Sequence, residues 1–521
     1  MESVPRTTST LGAPLDPEAF AFVGFDELTR AQRRRISRLT IRGGPPELTV
    51  VDNAIFDPGA GDDAAKASRF SGGVFAADGE PIAAAGVHRK GGKAFGATLD
   101  RSDGGLAPIA EDVIYLGPLF NHYGRVLLET LARAWYLNQP EAIAQRVIVS
   151  TANAAQHDLA PWLAPLLHAF GVPAERIYVT TQVSRFRRIT VPEPLFEQLH
   201  AAHNRMVEPF HRVARDVGSG SPTSEQPVYL SRRALSSRQR PVIGEEEVEK
   251  ILRANGARIV YPETLPIAEQ VRIFNTHRDI LSPVGSAAHA ILFAANRPRL
   301  HLLASRDDIP ANYFLCSALA EAPTTFINCV TSAGQGSDDE TASDETRRGV
   351  SGRGADPYAG HQSRPQHVDL EPFVAYLRSQ GFLRQAYRPL SKSAQARLDA
   401  RFDEAWAYSR LRKSAAKSTA LADDIEAQIV EQSATSWPTS LMLAHYFSRL
   451  GNAARAQDLA LQFAELLAVE QDEERLRHFH ADAVSIVQRL ARKSDPTVGR
   501  LLRATLEARW PTPMADVDAD S

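Results

Sequence analysis

The 521-residue sequence contains very little cysteine, with only Cys316 and Cys329. Two thiols are too few for a disulfide framework, so the chain fits a reducing compartment. No histidine pair at metal-ligand spacing accompanies either cysteine, which disfavours a structural zinc site. The sequence therefore predicts a fold that is held together by its hydrophobic cores.

Long apolar runs are also missing. No stretch approaches the roughly 18 apolar residues that a membrane span requires, and the N-terminal residues lack the basic start and apolar run of a signal peptide. We therefore expect a cytoplasmic protein. A formal net charge of −3 gives no overall attraction to nucleic acid, so we expect no nucleic-acid partner and look for electrostatic function in local patches.

Several catalytic signatures are absent. The sequence has no GxxxxGK(S/T) phosphate loop, no HExxH, no GxSxG nucleophile elbow and no CxxC. No Asp-x-Asp motif ends a strand in the α/β region, where Asp307-Asp308 is the one acidic pair after a strand. A metal-bridged diphosphate is therefore disfavoured, and we predict no metal site and no cofactor. Arginines and main-chain amides would have to bind such an anion instead.

The composition is that of a soluble globular protein, with 43% hydrophobic and 23% charged residues. Short β-branched runs alternate with helical stretches from 112 to 304, one of them near 195–215, which predicts parallel sheets covered by helices. Two such blocks flank a Gly-, Ser- and Pro-rich linker at 216–226. We predict two α/β domains that face each other across a cleft, with ligands at the carboxyl ends of the strands.

The remaining segments differ in composition. The predicted organisation is an N-terminal extension (1–46), a β-rich part (47–111), a first α/β domain (112–226), a second α/β domain (227–331), a disordered insert (332–367), a helix packed on the core (368–390), an all-α region (391–510) and an acidic tail (511–521). In the all-α region, Ser440–Leu467 resembles a tetratricopeptide unit, although an ordinary helical bundle explains it equally well.

Two segments of the second block are suited to an anion. Gly285-Ser286-Ala287-Ala288-His289 follows an apolar strand and opens an apolar helix, so main-chain N–H groups there can meet a phosphate. The alternative role of such small residues is close strand–helix packing. Ser231-Arg232-Arg233 ends another strand, and Arg240 follows shortly after it. Guanidinium groups suit phosphate oxygens, although a solvated surface loop would have the same composition.

The first block offers a proton acceptor. His122 stands just before a helix that runs to Trp135, and Glu129 lies within that helix. Transfer of a sugar to a hydroxyl requires a base at the cleft, which either side chain could supply. Glu129 could instead pair with Arg133 four residues on, and His122 could be a helix cap or a core residue.

An arginine-rich segment occupies residues 29–42. Its side chains include Arg33 and Arg38, and they would either form a solvated helix face or contact the anionic headgroups of an inner membrane. The all-α region at 391–510 is a second candidate for contact with a partner, in this case another protein.

Together these segments resemble glycosyltransferase family 61. Five blocks over about 112–304 carry the resemblance, and they occur in the family's order. The blocks are His122–Trp135, Tyr229–Arg232, Arg240–Glu245, Gly256–Val260 and Gly285–His289. The resemblance implies a GT-B fold, with two Rossmann-like domains around a cleft, and inverting transfer from a nucleotide-sugar to a glycan or lipid-linked acceptor in bacterial capsular polysaccharide biosynthesis.

The resemblance also implies roles for single residues. Arg232, Arg240, Gly285, Ser286 and His289 would bind the donor diphosphate, whereas His122 and Glu129 would lie on the acceptor side. Two departures bear on activity. The family's second histidine is Arg125 here, and an asparagine is replaced by Gly244. The sequence therefore leaves open an alternative, a catalytically impaired nucleotide-sugar-binding scaffold that uses its helical region to bind proteins.

Overall fold

The computed structural model describes most of the chain, and every structural statement below concerns the described residues. These are residues 12–25, 28–58, 72–89, 93–95, 109–120, 122–151, 161–178, 180, 182–218, 224–235, 242–305, 309–332, 365–493 and 495–510. The predicted insert at 332–367 and the predicted acidic tail at 511–521 fall mainly or wholly outside them, and both stay predictions.

The strands divide among several sheets. In chain order they are β1 (Ala13–Pro14), β2 (Ala21–Val23), β3 (Thr40–Arg42), β4 (Leu48–Asp57), β5 (Gly73–Phe75), β6 (Val87–Arg89), β7 (Lys93–Phe95), β8 (Ile109–Leu119), β9 (Arg146–Thr151), β10 (Ile177–Tyr178), β11 (Ser184–Pro192), β12 (Phe196–Glu197), β13 (Ala201–His203), β14 (Val228–Leu230), β15 (Val242–Ile243), β16 (Arg258–Val260), β17 (Asp279–Pro283), β18 (Arg299–Ala304), β19 (Thr324–Asn328), β20 (Val330–Ser332) and β21 (Gln366–Val368).

The α-helices lie between the strands and then fill the C-terminal region. They are α1 (Arg30–Ile36), α2 (Tyr123–Arg125), α3 (Pro140–Ile143), α4 (Leu163–Ala169), α5 (Glu208–Asp216), α6 (Glu245–Ala254), α7 (Ile267–Thr276), α8 (Ala311–Leu319), α9 (Leu370–Ser379), α10 (Lys392–Lys417), α11 (Asp423–Ser433), α12 (Trp437–Arg449), α13 (Ala453–Val469), α14 (Glu473–Lys493) and α15 (Pro496–Arg509). The protein is thus a mixed α/β structure with an all-α C-terminal region, as predicted.

The first large sheet has the strand order β10-β9-β8-β11-β4-β5. Strands β8 to β11 run parallel, and β4 and β5 add an antiparallel edge. The apolar run Val113–Leu116 is buried at the centre of β8, which explains why it reads as a strand of a covered parallel sheet. The carboxyl end of β8 delivers the chain to His122.

The second large sheet is parallel throughout, in the order β16-β14-β17-β18-β19-β2. Because its strands are parallel, their carboxyl ends share one edge. Strands β14 and β17 therefore bring Ser231–Arg233 and Gly285 to the same edge. Strand β2 pairs with β19, so a segment of the predicted N-terminal extension completes this sheet.

One hydrophobic core joins the two large sheets. It contains side chains from both α/β blocks and from the N-terminal segment, including Phe20 and Ile36. At its centre the ring of Phe210 lies 5.0 Å from the ring of Phe293 and 5.0 Å from that of Phe170. The two blocks are therefore packed directly against each other around this shared core.

The predicted helix at 195–215 is wrong in its first half. Its first half forms β12 and β13, and the α-helix begins only at Glu208. Strand β13 pairs with β3, and Leu199 between β12 and β13 has a φ of 65°. Pairing with a distant strand overrides the local helix preference of this segment.

The C-terminal helices form successive hairpins around a second core. Helices α12 and α13 coincide with the unit predicted at Ser440–Leu467, and Gly451 between them has a φ of 82°, which glycine adopts without strain. Arg475 connects parts of this region to each other, because it forms ion pairs with Glu404 and, at 2.7 Å, with Glu470. No helix among the described residues has the length and apolar content to cross a membrane.

Arg133 ties the helical segment after His122 to the β-rich part. Its guanidinium is 1% exposed and donates to the carbonyl oxygens of Ala84 at 2.7 Å, Gly86 at 2.9 Å and Glu129 at 3.3 Å. A buried arginine that satisfies three carbonyl groups fixes the position of the segment that carries the predicted base.

Replacing Arg133 should therefore destabilise the fold. Arg133→Met removes the donor of three carbonyl groups, and each of the two buried ones, of Glu129 and Gly86, costs about 1–3 kcal/mol when it is left unpaired. We expect thermal unfolding of the purified variant to begin several degrees below that of the wild type. Arg187→Met is the control, because Arg187 is exposed and its pair with Asp112 is worth at most about 1 kcal/mol. Equal melting temperatures for Arg133→Met and wild type would contradict this role.

Candidate functional site

The segment after β8 changes its helical geometry twice. Helix α2 passes into a π-helical turn at Val126–Thr130 and then into a 3-10 helix at Leu131–Tyr136. A π-helical turn is uncommon and often marks a functional position. It buries Glu129 and Thr130 beneath the start of the segment.

His122 caps this segment and remains accessible. Its Nδ1 accepts a hydrogen bond of 3.3 Å from the main-chain N–H of Arg125. Loss of solvent around the ring lowers the pKa of His122, and the positive charges of Arg125 and Arg232 lower it further, whereas Glu129 opposes them. The ring is therefore neutral near pH 7, and Arg232 from the second block lies close enough to act on it.

Glu129 is buried and fully engaged. Arg125 donates to both of its carboxylate oxygens, from Nε at 3.0 Å and from Nη2 at 2.9 Å, and the amide of Gln198 donates to Oε1 as well. The guanidinium of Arg125 lies 3.2 Å from the centre of the Phe120 ring. The side chain of Glu129 thus pairs with Arg125, while Arg133, the predicted partner, bonds to its main-chain carbonyl.

On the other side, two buried glutamates hold the end of β14. Glu245 is 2% exposed and accepts from the Tyr229 hydroxyl at 3.0 Å and from the main-chain N–H of Arg232 at 2.9 Å. Glu249 accepts from the Ser231 hydroxyl at 2.7 Å and from Arg233 at 3.0 Å. Both glutamates come from α6, which therefore fixes the backbone that carries Arg232.

Arg232 lies against the loop that follows β17. A Cβ added to Gly285 would overlap the Nη1 atom of the Arg232 guanidinium, so the absence of a side chain there admits the arginine. The main-chain N–H groups of Gly285, Ser286 and Ala287 donate to no acceptor among the described residues. A guanidinium and free N–H groups at one helix start form a site suited to an anion.

The two segments meet at Gly124. A Cβ on Gly124 would lie 2.9 Å from Cβ of Ser286, 3.0 Å from Nδ1 of His289 and 3.4 Å from Cε1 of His122. The hydroxyl of Tyr123 also donates across the two blocks to Gln270 at 3.1 Å. The base candidate and the anion loop are therefore adjacent.

The structure thus gathers six of the predicted site residues, while the seventh, Arg240, lies outside the described residues. The six are His122, Glu129, Arg232, Gly285, Ser286 and His289. No group of three or more His, Cys, Asp or Glu side chains in the described part of the chain could hold a metal ion. Sequence reasoning missed Gln198, Glu245 and Glu249 as site-supporting residues. Of these three, only Glu245 could have been found from the sequence, because it is the last residue of the Arg240–Glu245 block that carries the family resemblance.

A comparison with protein-family models matches residues 123–300 to the family described as Glycosyltransferase 61. The match confirms the resemblance to glycosyltransferase family 61 over residues 123–300. The match supports glycosyl transfer as the class of activity. The matched range begins one residue after His122 and contains the other five gathered residues. A comparison with curated proteins finds no match.

Alanine at the two contact glycines should have different effects in this transferase domain. In Gly124→Ala, the new methyl group meets the rigid Cβ of Ser286, so we expect a lower melting temperature. In Gly285→Ala, the flexible guanidinium of Arg232 can swing away, so we expect a near-normal melting temperature and a displaced arginine. Differential scanning fluorimetry and a crystal structure of Gly285→Ala would measure the two effects.

Gly43→Ala is the matched control, because the nearest atom to its added Cβ is 3.6 Å away and Gly43 has no positive φ. It should melt as the wild type does. If Gly124→Ala also melts as the wild type does, the two blocks do not meet at this residue.

Glu245 should also make stability depend on pH. Burial raises the pKa of Glu245 from 4.5 to about 7, so the folded protein keeps a proton that the unfolded chain releases. Stability linked to this group therefore falls as pH rises from about 4.5 to about 7. Glu245→Gln should remove this part of the fall when melting temperatures are compared at pH 5 and pH 7.

Glu246→Gln provides the control on the same helix. Its hydrogen bond to Lys250 lowers the pKa of Glu246, so its contribution is complete above pH 4.5 and is lost only at lower pH. It should leave the change between pH 5 and pH 7 as in the wild type. An unchanged slope in Glu245→Gln would contradict the assigned proton.

Proposed function

We propose that the protein transfers a sugar from a nucleotide-sugar donor to a hydroxyl of a glycan or lipid-linked acceptor, with inversion at the anomeric carbon. The observation that carries this proposal is the contact of Gly124 with Ser286 and His289, next to the Arg232 guanidinium. This contact sets an accessible imidazole beside a group of anion donors, as such a reaction requires. The proposed frame is GT-B-like, with an acceptor-side block and a donor-side block.

The donor diphosphate would bind to Arg232 and to the N–H groups of Gly285, Ser286 and Ala287. A guanidinium presents a planar set of donors that matches phosphate oxygens, and the helix start adds the favourable end of its dipole. Donors fixed before the reaction stabilise the charge that develops on the leaving group. This electrostatic role would need no metal ion and no cofactor.

On the acceptor side we assign the base to His122. Both carboxylate oxygens of Glu129 are hydrogen-bonded within a buried ion pair, whereas the His122 ring is accessible and neutral near pH 7. Nδ1 of His122 accepts the hydrogen bond that caps the helix, so the neutral ring can take up a proton only if that hydrogen bond breaks. That loss costs about 1 kcal/mol. Glu129 would act through its charge and through its hold on Arg125.

In the proposed step, the acceptor oxygen forms a bond to the anomeric carbon and gives its proton to His122. The bond from that carbon to the diphosphate oxygen breaks, and the electron pair leaves with the diphosphate. Arg232 and the main-chain donors stabilise the charge of the departing group.

The cellular setting belongs to the same proposal. We place the reaction in bacterial surface or capsular polysaccharide biosynthesis, on the cytoplasmic side of the membrane. Arg30, Arg34 and Arg38 are exposed and form no ion pair with a described residue, whereas Arg33 pairs with Glu18. Such cations suit anionic headgroups. The helical region at 391–510 would bind a protein partner.

A second candidate function is a nucleotide-sugar-binding scaffold without catalysis. The ion pair between Arg125 and Glu129 favours this candidate, because Arg125 neutralises the carboxylate of Glu129, which is one of the two candidate bases. This candidate predicts binding without turnover.

The test is a panel of nucleoside diphosphates and nucleotide-sugars, measured by calorimetry and by release of the nucleoside diphosphate. We expect Arg232→Gln to weaken diphosphate binding by at least about tenfold, because it removes a charged hydrogen-bond donor. Arg187→Gln is the control, because Arg187 is an exposed residue of β11. His122→Asn should lose turnover and keep binding, whereas Glu129→Gln should lose less.

Three outcomes would contradict parts of the proposal. A wild type that binds no nucleoside diphosphate or nucleotide-sugar defeats the function itself. Binding without hydrolysis or transfer, with any acceptor, favours the scaffold. Full turnover in His122→Asn removes this residue as the base.

A further inference from the structure

His289 is a buried polar side chain with unmet hydrogen-bonding capacity. It is 8% exposed, and neither ring nitrogen has a hydrogen-bond partner among the described residues. Its ring packs against Tyr313 with a centroid distance of 4.8 Å. A buried imidazole that leaves both nitrogens unpaired is costly, which points to a ligand that pairs with it.

The surroundings of His289 keep it neutral. Burial lowers the pKa of His289 to about 3, and the neighbouring His122 contributes to the lowering. No carboxylate is among the groups that shift its pKa. A neutral ring adds no charge against a diphosphate, and so weak a base is poorly matched to proton removal near pH 7.

The position of the ring relates it to the anion donors. Residues 286 to 293 form a 3-10 helix, in which side chains three positions apart lie one above the other. Ser286 and His289 are three apart, and both lie next to the position that a Cβ atom on Gly124 would occupy. One turn of such a helix rises about 6 Å. His289 is therefore about one sugar ring from the N–H groups at the helix start, on the side that faces His122.

We propose that His289 hydrogen-bonds a neutral hydroxyl of the transferred sugar and thereby selects the donor sugar. This inference rests on the proposed function and refines it, because the resemblance to the family assigned His289 to the diphosphate. A neutral imidazole has one donor nitrogen and one acceptor nitrogen, and a hydroxyl group can pair with either of them.

The first experiment uses the wild-type protein. A nucleotide-sugar that binds is compared with its monodeoxy analogues, one hydroxyl at a time, by calorimetry. A site built around a hydroxyl discriminates strongly against its absence, so we expect one analogue to bind at least about tenfold more weakly than the parent. Equal affinity for all analogues would overturn the inference, and no binding of any nucleotide-sugar would instead defeat the proposed function.

The second experiment repeats the series with His289→Phe, which keeps an aromatic ring against Tyr313 and removes both nitrogens. We expect uridine or guanosine diphosphate, whichever the wild type binds, to bind within about twofold of its wild-type affinity, and the sensitive deoxy position to lose its effect. If His289→Phe fails to fold, His289→Gln takes its place. This variant keeps a donor and an acceptor, so it should retain part of the wild type's discrimination between the parent sugar and the deoxy analogue.

A different pattern would overturn the inference. If His289→Phe or His289→Gln weakens the nucleoside diphosphate alone as much as Arg232→Gln does, His289 belongs to the diphosphate site. If removal of the same sugar hydroxyl weakens binding as much in a folded His289 variant as in the wild type, another residue binds that hydroxyl.

Discussion

The close approach of two main-chain segments at Gly124 is the constraint on which the site depends. With any side chain at this position, the helix start after β8 could not lie against Ser286 and His289. A second glycine, Gly285, admits the guanidinium of Arg232 in the same way. Two residues without side chains thus allow the His122 imidazole and the loop at 285–289 to lie close together, although they come from different α/β blocks.

This arrangement is held by buried polar residues rather than by the residues of the contact themselves. Glu245 and Glu249 anchor the backbone of Arg232 and its neighbours, and Arg133 anchors the segment that carries His122. The shared core beneath both blocks keeps these anchors in fixed relation. Removing any of these anchors leaves polar groups without their partners, which is destabilising.

Much of the fold could be predicted from local pattern, because buried parallel strands leave apolar, β-branched runs that alternate with helices. The strand ends that carry Arg232 and Gly285 followed from this alternation. The segment at 195–215 did not, because β13 forms through pairing with the distant β3. The engagement of Glu129 by Arg125 and Gln198 also escaped prediction. An i,i+4 pattern permits pairing with either arginine, and Gln198 arrives only through the folded chain.

The central claim is that Arg232 and the main-chain donors at 285–287 hold a diphosphate leaving group across from His122. A crystal structure with a bound nucleoside diphosphate tests it most directly. We predict that phosphate oxygens lie within hydrogen-bond distance of the Arg232 guanidinium and of the N–H group of Ser286, with the terminal phosphate directed toward His122. A diphosphate bound elsewhere, with Arg232 and this loop unoccupied, would contradict the account.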